Sequence, residues 1–195
     1  ISGTTCAGKG TVVKELLKRN KNLKVSISYT TRAKRDGEVD GKDYFFIQND
    51  EFEKMIANGE FLEYASIYGN FYGTPKSGII ECLENGQDVI LEIEMQGARQ
   101  VKEVYGEGVF IFVLPPSLSE LKNRIVGRGT ETADEIEKRF SCAFEEIKQI
   151  DDYNYFIINK DVDTSVRELE EIISAEKNKV TRYKENIIEK FREEL

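Results

Sequence analysis

Residues 3–11 read Gly-Thr-Thr-Cys-Ala-Gly-Lys-Gly-Thr and fit the pattern G-x-x-x-x-G-K. In such a loop, backbone N–H groups surround the β-phosphate of a nucleotide, and a lysine reaches the β- and γ-phosphates. Apolar residues at helical spacing follow, at Val12, Val13, Leu16 and Leu17. A phosphate at that point faces unpaired N–H groups and the positive end of a helix dipole. The stretch predicts a phosphate-binding loop; the alternative is a glycine-rich turn that happens to precede a helix.

Composition limits the possible functions. The chain has 195 residues, enough for one domain with a sizeable core, and its net charge of -8 argues against a nucleic-acid polymer as partner. It contains no histidine, which excludes an imidazole base or metal ligand. Cys6, Cys82 and Cys142 have neither metal-site nor disulfide spacing, so we expect a reducing, cytoplasmic environment. No apolar run suggests a membrane partner, and the start at Ile1 leads us to expect that most of a first strand precedes it.

Strand and helix patterns alternate along the chain. The apolar runs at 89–91 and 109–114 are typical of central strands in a parallel sheet buried on both faces. Residues 24–28 and 155–158 are further predicted strands, and helical patterns lie between the strands. Together with the loop, this alternation predicts an α/β fold of the P-loop NTPase type, with helices on both faces of a parallel sheet.

Residues 31–74 interrupt the alternation. The segment is polar and aromatic, and we predict that it forms an inserted functional lobe rather than a linker. Asp50 is expected to cap a short helix that Asn58-Gly59 ends, and residues 61–71 are expected to form strands.

The inserted segment carries candidate phosphate ligands. Arg32, Lys34 and Arg35 form a possible clamp, because guanidinium groups pair with phosphate oxygens through two hydrogen bonds. Tyr44 and Tyr72 could add hydroxyl donors. The alternatives are a solvated basic loop and tyrosines that only pack.

Charged residues also follow two of the predicted core elements. Glu92 and Glu94 lie two positions apart after the 89–91 run, at the sheet edge where ligands bind in such folds. They could hold Mg²⁺ through water or bind a ribose, or they are solvated strand ends. Arg124 and Arg128 stand on a glycine-punctuated helix–loop–helix, which is either a lid that closes over phosphate or a solvated helical pair.

With these pieces in place, the chain resembles the guanylate kinase family of nucleoside monophosphate kinases over nearly its whole length. The stretches that carry the resemblance are, in order, residues 28–35, Gly37-Glu38, Gly41-Lys42-Asp43-Tyr44, Glu60-Phe61-Leu62-Glu63, Tyr72-Gly73-Thr74, Met95-Gln96-Gly97 and Gly127-Arg128-Gly129-Thr130-Glu131. The resemblance implies transfer of the γ-phosphoryl group of ATP to GMP, and also to dGMP, in purine nucleotide metabolism. It implies Mg²⁺ as cofactor.

The resemblance also implies roles for individual residues. Those that would bind ATP are Gly3, Thr4, Thr5, Cys6, Ala7, Gly8, Lys9, Gly10, Thr11 and Asn159. Those that would bind GMP are Ser28, Arg32, Arg35, Tyr44, Glu63, Tyr72, Thr74, Glu92 and Glu94. The catalytic cations would be Lys9, Arg32, Arg124, Arg128 and Arg139. The metal would be held through the ATP phosphates, with Thr11 and Glu94 as protein ligands.

Elementary chemistry supports this mechanism. Guanine presents a donor where adenine presents a ring acceptor, so a fixed carboxylate at Glu63 would accept from guanine and repel adenine. Phosphoryl transfer needs alignment and charge neutralisation more than a base, which suits a chain without histidine.

The implied organisation has three parts. Residues 1–27, 79–121 and 140–195 would form the core, residues 28–78 the GMP-binding lobe and residues 122–139 the lid. We expect the lobe and the lid to close on the core and exclude water. The chain could act as a monomer or a homodimer.

Two other functions fit parts of the pattern. Guanylate kinase-like scaffold modules bind phosphoprotein partners without catalysis, but they typically lose the ATP loop and the lid arginines. A kinase of the same fold with another small phosphorylated acceptor is the closer alternative, and Glu63 and Thr74 argue for guanine instead.

The chain departs from the family pattern at a few positions. Thr4-Thr5-Cys6 stands where the family usually has Pro-Ser-Gly, Gly10 replaces Ser or Thr, and Glu94 replaces the commoner Asp. Cys6 is expected to strain a loop conformation suited to glycine. Its thiol, at a helix N-terminus beside Lys9, is either reactive as a thiolate or inert.

Residues 165–195 read as one helix, because Leu169, Ile172, Ile173, Val180, Tyr183, Ile187 and Phe191 recur at threes and fours. This helix would pack across the core or form a dimer contact.

Overall fold

The computed structural model of the chain describes residues 1–67, 69–127 and 133–194. The strands are β1 (Ser2–Gly3), β2 (Lys24–Val25), β3 (Tyr29–Thr30), β4 (Phe45–Phe46), β5 (Phe61–Ile67), β6 (Asn70–Pro75), β7 (Val89–Ile90), β8 (Ile111–Leu114) and β9 (Tyr155–Ile158). The helices are α1 (Lys9–Arg19), α2 (Asn49–Ala57), α3 (Ser77–Glu84), α4 (Met95–Val104), α5 (Leu118–Gly127), α6 (Ala133–Ile147), α7 (Val162–Lys177) and α8 (Val180–Arg192).

A parallel sheet forms the centre of the molecule. β8 pairs with β1 on one side and β9 on the other, and β2 pairs with β7, all in parallel. The N–H of Ile93 donates to the carbonyl of Ile1 at 3.2 Å, which places the chain after β7 beside β1. The parallel α/β core predicted from the apolar runs is confirmed.

Helices cover both faces of this sheet. Val12 and Leu16 of α1 pack with Leu169 of α7 in one buried cluster, which includes Ile111. Phe110 belongs to a second cluster, with residues of α4. Successive residues along an extended chain point to opposite faces, so the two clusters lie on opposite sides of the sheet.

The inserted segment forms a second sheet with its own aromatic core. The strand order is β4-β3-β6-β5, and the β5–β6 hairpin contributes most of the pairing. Phe52 of α2 stacks on Phe61 and Phe71, and Tyr29 stacks on Phe45. Strands in this region were predicted, and the structure extends them to Pro75.

Several element ends differ from the sequence-based expectation. α2 begins at Asn49 with Gln48 as its N-cap, not at Asp50, because extended backbone at Gln48 leads directly into the first turn. β2 ends at Val25 and β7 at Ile90, so Glu92 and Glu94 follow the strand rather than complete it.

The C-terminal region is two helices and not one. Glu176 is buried at the end of α7, where it accepts hydrogen bonds from Tyr155 Oη (2.7 Å) and from the Nε of Arg182 (3.0 Å) in α8. These bonds hold the chain in a turn at Asn178. α7 packs on the core as expected, whereas Val180 and Phe191 of α8 are 66% and 63% exposed.

Among the described residues, no helix combines the length and the apolar composition needed to cross a lipid bilayer. The division into core, lobe and lid stays a prediction.

Candidate active site

The loop from Gly3 to Lys9 curls around the N-terminus of α1. The N–H of Ala7 donates to the carbonyl of Thr4 at 3.1 Å, and Gly8, at φ 90°, is the N-cap residue of α1. The ammonium of Lys9 folds back over the loop and donates to the carbonyl of Gly3 at 2.8 Å. A cation and a helix N-terminus therefore lie together at this loop, the combination that favours a bound phosphate.

The buried Asn159 is hydrogen-bonded to this loop. Its Nδ2 donates to the carbonyl of Ala7 at 2.7 Å, and its Oδ1 accepts from Ser165 Oγ at 3.2 Å. A Cβ on Gly8 would lie 2.4 Å from Nδ2, so the contact requires glycine there. Asn159 is 5% exposed. Its contact with the adenine end of ATP stays a prediction.

Cys6 has φ 58°, the left-handed conformation that favours glycine; in the described part of the chain it is the one residue other than glycine with a positive φ. The strain expected from the replacement of glycine is therefore present. Its side chain packs against the cluster of Leu121, Ile125 and Ala143 in α5 and α6. Reactivity of the thiol stays a prediction.

Two of the predicted catalytic arginines, Arg124 and Arg139, lie on α5 and α6. Arg124 donates to the carbonyl of Asn159 at 3.0 Å and to that of Ala7 at 3.4 Å, which brings its guanidinium to the loop. Arg139 is half-buried on α6. Arg128 lies outside the described residues.

Glu146 is a site residue that the sequence reasoning missed. Its Oε2 accepts from the N–H of Thr5 at 3.3 Å. The pKa of Glu146 is raised above its ordinary value, mainly by burial and also by the charge of Glu94. The hydrogen bond from Thr5 and the charge of Lys9 lower it in part. Arg139, Ala143 and Glu146 follow at helical spacing on one face of α6, and that spacing is the signal that could have identified it.

A second group of predicted residues meets in the inserted lobe. The Arg32 guanidinium lies 5.5 Å from the ring centre of Tyr44, whose ring centre is 6.0 Å from that of Tyr72. Burial raises the pKa of the Tyr44 hydroxyl above its ordinary value, which keeps it a hydrogen-bond donor. The three side chains are therefore close together, and their binding of a phosphate stays a prediction.

Glu38 pairs with the Arg32 of this trio. It accepts from Nη1 and Nη2 of Arg32 at 3.0 and 2.8 Å and from the N–H of Arg35 at 2.8 Å. Burial by itself raises the pKa of Glu38, but the hydrogen bonds from Arg32 and Arg35 lower it below its ordinary value. The carboxylate orients Arg32, whereas the Arg35 side chain is exposed.

Glu63, Thr74 and Ser28 converge in the inserted lobe, and their contact with guanine stays a prediction. Thr74 Oγ1 donates to Glu63 Oε1, and Ser28 Oγ lies 3.4 Å from Thr74 Oγ1. Glu63 is 5% exposed. Burial raises its pKa to about 7; the Thr74 hydrogen bonds lower it and the charge of Glu94 raises it.

Glu92 and Glu94 connect the two groups. A Cβ on Gly10 would lie 3.3 Å from Glu92 Oε1, so this carboxylate borders the start of α1. Burial raises the pKa of Glu92 and the charge of Lys9 lowers it. The charge of Glu94 raises the pKa of Glu63 on one side and of Glu146 on the other. The charge of Glu94 therefore acts on a carboxyl of the inserted lobe and on one beside the loop.

An ion pair also ties the lobe to the core. Lys14 Nζ of α1 lies 2.6 Å from Asp43 Oδ1 in the loop before Tyr44. Asp43 in turn accepts from the N–H of Val39 at 2.9 Å.

The donor set fits a magnesium ion held mainly by substrate. In the described ranges, no three His, Cys, Asp or Glu side chains converge as a metal cage. Mg²⁺ usually keeps several waters and takes one or two carboxylates together with substrate phosphates. Glu92 and Glu94, beside a phosphate loop in which Gly10 offers no hydroxyl, suit that mode of binding.

Comparison with known proteins gives one consistent result. Residues 1–176 match the family model described as guanylate kinase. The chain is 72% identical over 195 residues to the guanylate kinase of Clostridioides difficile (strain 630), covering 100% of this chain and 95% of that protein. It is 55% identical over 188 residues to that of Clostridium tetani (strain Massachusetts / E88), covering 96% and 90%. The crystal structure of guanylate kinase from Anaplasma phagocytophilum is similar at a TM-score of 0.77 and 35% identity, covering 91% of this chain and 84% of that one.

Proposed function

Because the chain belongs to the guanylate kinase family, we infer that it is an ATP:GMP phosphotransferase, which transfers the γ-phosphoryl group of ATP to GMP and releases ADP and GDP. One observation carries this inference. The buried Glu63 accepts a hydrogen bond from Thr74, whose hydroxyl oxygen lies 3.4 Å from Ser28 Oγ, and these three side chains are the ones that the resemblance assigns to guanine.

The acceptor half of the site recognises both ends of GMP. The Glu63 carboxylate accepts from the ring and exocyclic N–H groups of guanine, and Ser28 and Thr74 support it. Arg32, with Tyr44 and Tyr72, holds the phosphate, since a planar guanidinium matches phosphate oxygens. Glu38 fixes the plane of Arg32 through two hydrogen bonds, and Arg35 adds a further cation.

The donor half neutralises charge on ATP. The N–H groups between Gly3 and Thr11 surround the β-phosphate, and Lys9 reaches the β- and γ-phosphates. Arg124 lies against the same loop, and Arg128 and Arg139 add positive charge from the lid side. Fixed cations of this kind stabilise the transferring group in a site from which water is excluded.

Bound together with ATP, Mg²⁺ would neutralise charge on the substrate phosphates. We assign Glu94 and Thr11 as the protein groups that would hold the ion. We add Glu92, because its carboxylate lies beside Gly10 at the start of α1.

Several finer features belong to the same proposal. The GMP-binding lobe (residues 28–78) and the lid (residues 122–139) close on the core, with Lys14 and Asp43 guiding the lobe. dGMP is also an acceptor, because no residue assigned to guanine or phosphate depends on the 2′-hydroxyl. Free thiols at Cys6, Cys82 and Cys142 support a cytoplasmic setting. The exposed apolar side chains of α8 leave the monomer and the homodimer both open.

A coupled assay for ADP tests the proposal with GMP, dGMP, AMP, UMP and ribose phosphates as acceptors. We expect turnover with GMP and dGMP, and kcat/KM lower by about 10⁴ for AMP, because a site built to hydrogen-bond a donor strongly rejects an acceptor. Preference for another acceptor would favour a different small-molecule kinase. No turnover with any acceptor would favour a scaffold module, although Lys9, Arg124 and Arg139 are retained.

A further inference from the structure

The backbone of α4 lies directly against the carboxylate of Glu63. A Cβ built on Gly97, in the first turn of α4, would lie 1.9 Å from Glu63 Oε2, 2.6 Å from its carboxyl carbon and 3.2 Å from its Cγ. Carbon atoms in ordinary contact are about 3.5–4.0 Å apart. The absence of a side chain at Gly97 is therefore what lets the carboxylate occupy its observed position.

The helix cannot retreat to make room without losing other contacts. One turn after Gly97, Gln100 accepts from the N–H of Tyr64 at 3.2 Å and donates to the carbonyl of Tyr64 at 2.7 Å. Tyr64 directly follows Glu63 in β5, so this pair of bonds fixes the distance between helix and strand at the carboxylate. Ala98 and Val101, buried in one apolar cluster, fix the other side of the helix.

Glu63 has little freedom on its own side either. Thr74, directly opposite in β6, donates to Oε1, while Oε2 faces Gly97. The carboxylate is thus held between a hydroxyl and a bare stretch of helix backbone.

We propose that Gly97 is a specificity-determining residue, which sets the position of the Glu63 carboxylate and thereby the discrimination of guanine from adenine. This inference rests on the proposed function. Gly97 touches no reacting atom and acts through Glu63, so its effect belongs to the acceptor side of the reaction.

A methyl group at position 97 displaces the carboxylate by about 1 Å or more, because shorter carbon–oxygen contacts are not tolerated. Hydrogen bonds to guanine are directional and lengthen or bend with such a shift. We expect Gly97→Ala to lower kcat/KM for GMP by about tenfold or more and to lower the GMP-over-AMP ratio similarly. KM for ATP should stay within about twofold, since the ATP loop is untouched.

Shortening the acid should restore the fit. Glu63→Asp by itself withdraws the carboxylate by about one C–C bond length, about 1.5 Å, and should lower kcat/KM for GMP. In the double variant Gly97→Ala/Glu63→Asp, the shorter side chain leaves room for the methyl group. We expect the double variant to exceed Gly97→Ala by about fivefold or more in kcat/KM for GMP, a coupling that independent sites do not show.

Gly78→Ala is the matched control. It adds the same methyl group to helix α3, where nothing lies within 4 Å of the added carbon, and it should leave the kinetics with both nucleotides unchanged.

The outcomes separate the inference from the proposed function. Wild-type protein that does not phosphorylate GMP contradicts the function itself. With an active wild type, a Gly97→Ala variant whose GMP kinetics and GMP-over-AMP ratio stay within about twofold of wild type contradicts the inference. The inference is also contradicted if Gly97→Ala impairs the use of ATP and of GMP equally. It is contradicted as well if kcat/KM for GMP in the double variant is no higher than in Gly97→Ala. If circular dichroism shows that Gly97→Ala and the double variant are both unfolded, Gly97 is needed for packing of the fold and the inference is wrong.

Discussion

Thr74 donates its side-chain hydroxyl to the carboxylate of Glu63, the residue directly opposite it in the β5–β6 pair. Paired residues of an antiparallel ladder point to the same face, so the hairpin register brings the two groups together. The strand pairing shifts between Phe61 and Glu63, and this irregularity belongs to the same segment. A buried acid at this position has consequences for pH dependence.

Guanine binding should weaken as pH falls below about 7. The pKa of Glu63 is raised to about 7 by burial, so the free enzyme loses the accepting carboxylate below that pH. We expect kcat/KM for GMP to fall by up to about tenfold per pH unit there. In Glu63→Gln the low but measurable GMP activity should not show this slope; the same slope in the variant would assign the ionisation elsewhere.

Protonation of Glu63 should stabilise the fold, although it weakens guanine binding. A carboxyl whose pKa is raised on folding stabilises the fold at low pH, fully below its unfolded value of 4.5, and loses that contribution as pH rises through about 7. As the pH rises from 4.5 to about 7, the Tm of the wild-type protein should therefore fall relative to that of Glu63→Gln. A constant difference between the two proteins across that range would contradict the raised pKa.

Glu146 should position the ATP loop. Glu146→Ala removes the acceptor for the Thr5 N–H, so we expect KM for ATP to rise about fivefold, from the loss of about 1 kcal/mol, with KM for GMP unchanged. Glu145→Ala is the control, because Glu145 is exposed, has the same charge and neighbours Glu146 on α6. Equal effects of the two substitutions would mean that only net charge matters.

Strain at Cys6 should appear in unfolding measurements. Cys6→Gly removes the cost of a side chain at φ 58°, whereas Cys6→Ala keeps it, and both remove the thiol from the cluster with Leu121 and Ile125. We expect the glycine variant to be more stable than the alanine variant by about 1 kcal/mol, the strain less the greater unfolded-state entropy of glycine. A more stable alanine variant would show that the loop relaxes without cost.

Alkylation should distinguish a reactive Cys6 from an inert one. In a Cys82→Ser/Cys142→Ser background, iodoacetamide should modify Cys6 and abolish activity, and ATP should slow the reaction because it covers the loop. Modification without loss of activity, or without protection by ATP, would assign Cys6 a packing role alone.

Glu176 should be a structural carboxylate. It is buried and accepts from Tyr155, Lys179 and Arg182, and the Tyr155 hydroxyl, followed by the two cations, lowers its pKa to about 2 although burial raises it. Its contribution is present above 4.5 and is lost as pH falls toward 2. We expect Glu176→Gln to lower the free energy of unfolding at neutral pH by about 2 kcal/mol, and the exposed Glu171→Gln to change it little.

The sequence by itself was sufficient for the features that depend on neighbouring residues. The loop at Gly3 to Lys9, the helix after it and β9 at Tyr155–Ile158 occur where the pattern predicts them. Glycine spacing, apolar periodicity and turn residues act over a few positions, so a linear pattern contains them. The resemblance then identified Glu63, Thr74 and Ser28, which do converge.

Tertiary structure alone decided the contacts between distant segments. Glu146 meets Thr5 across 141 positions, and Gly97 meets Glu63 where Gln100 joins α4 to β5 and Ala98 and Val101 are buried in the core. The turn at Asn178 depends on Tyr155, a residue of another element. No periodicity encodes these approaches, since each arises from how helices settle on a sheet once side chains have packed.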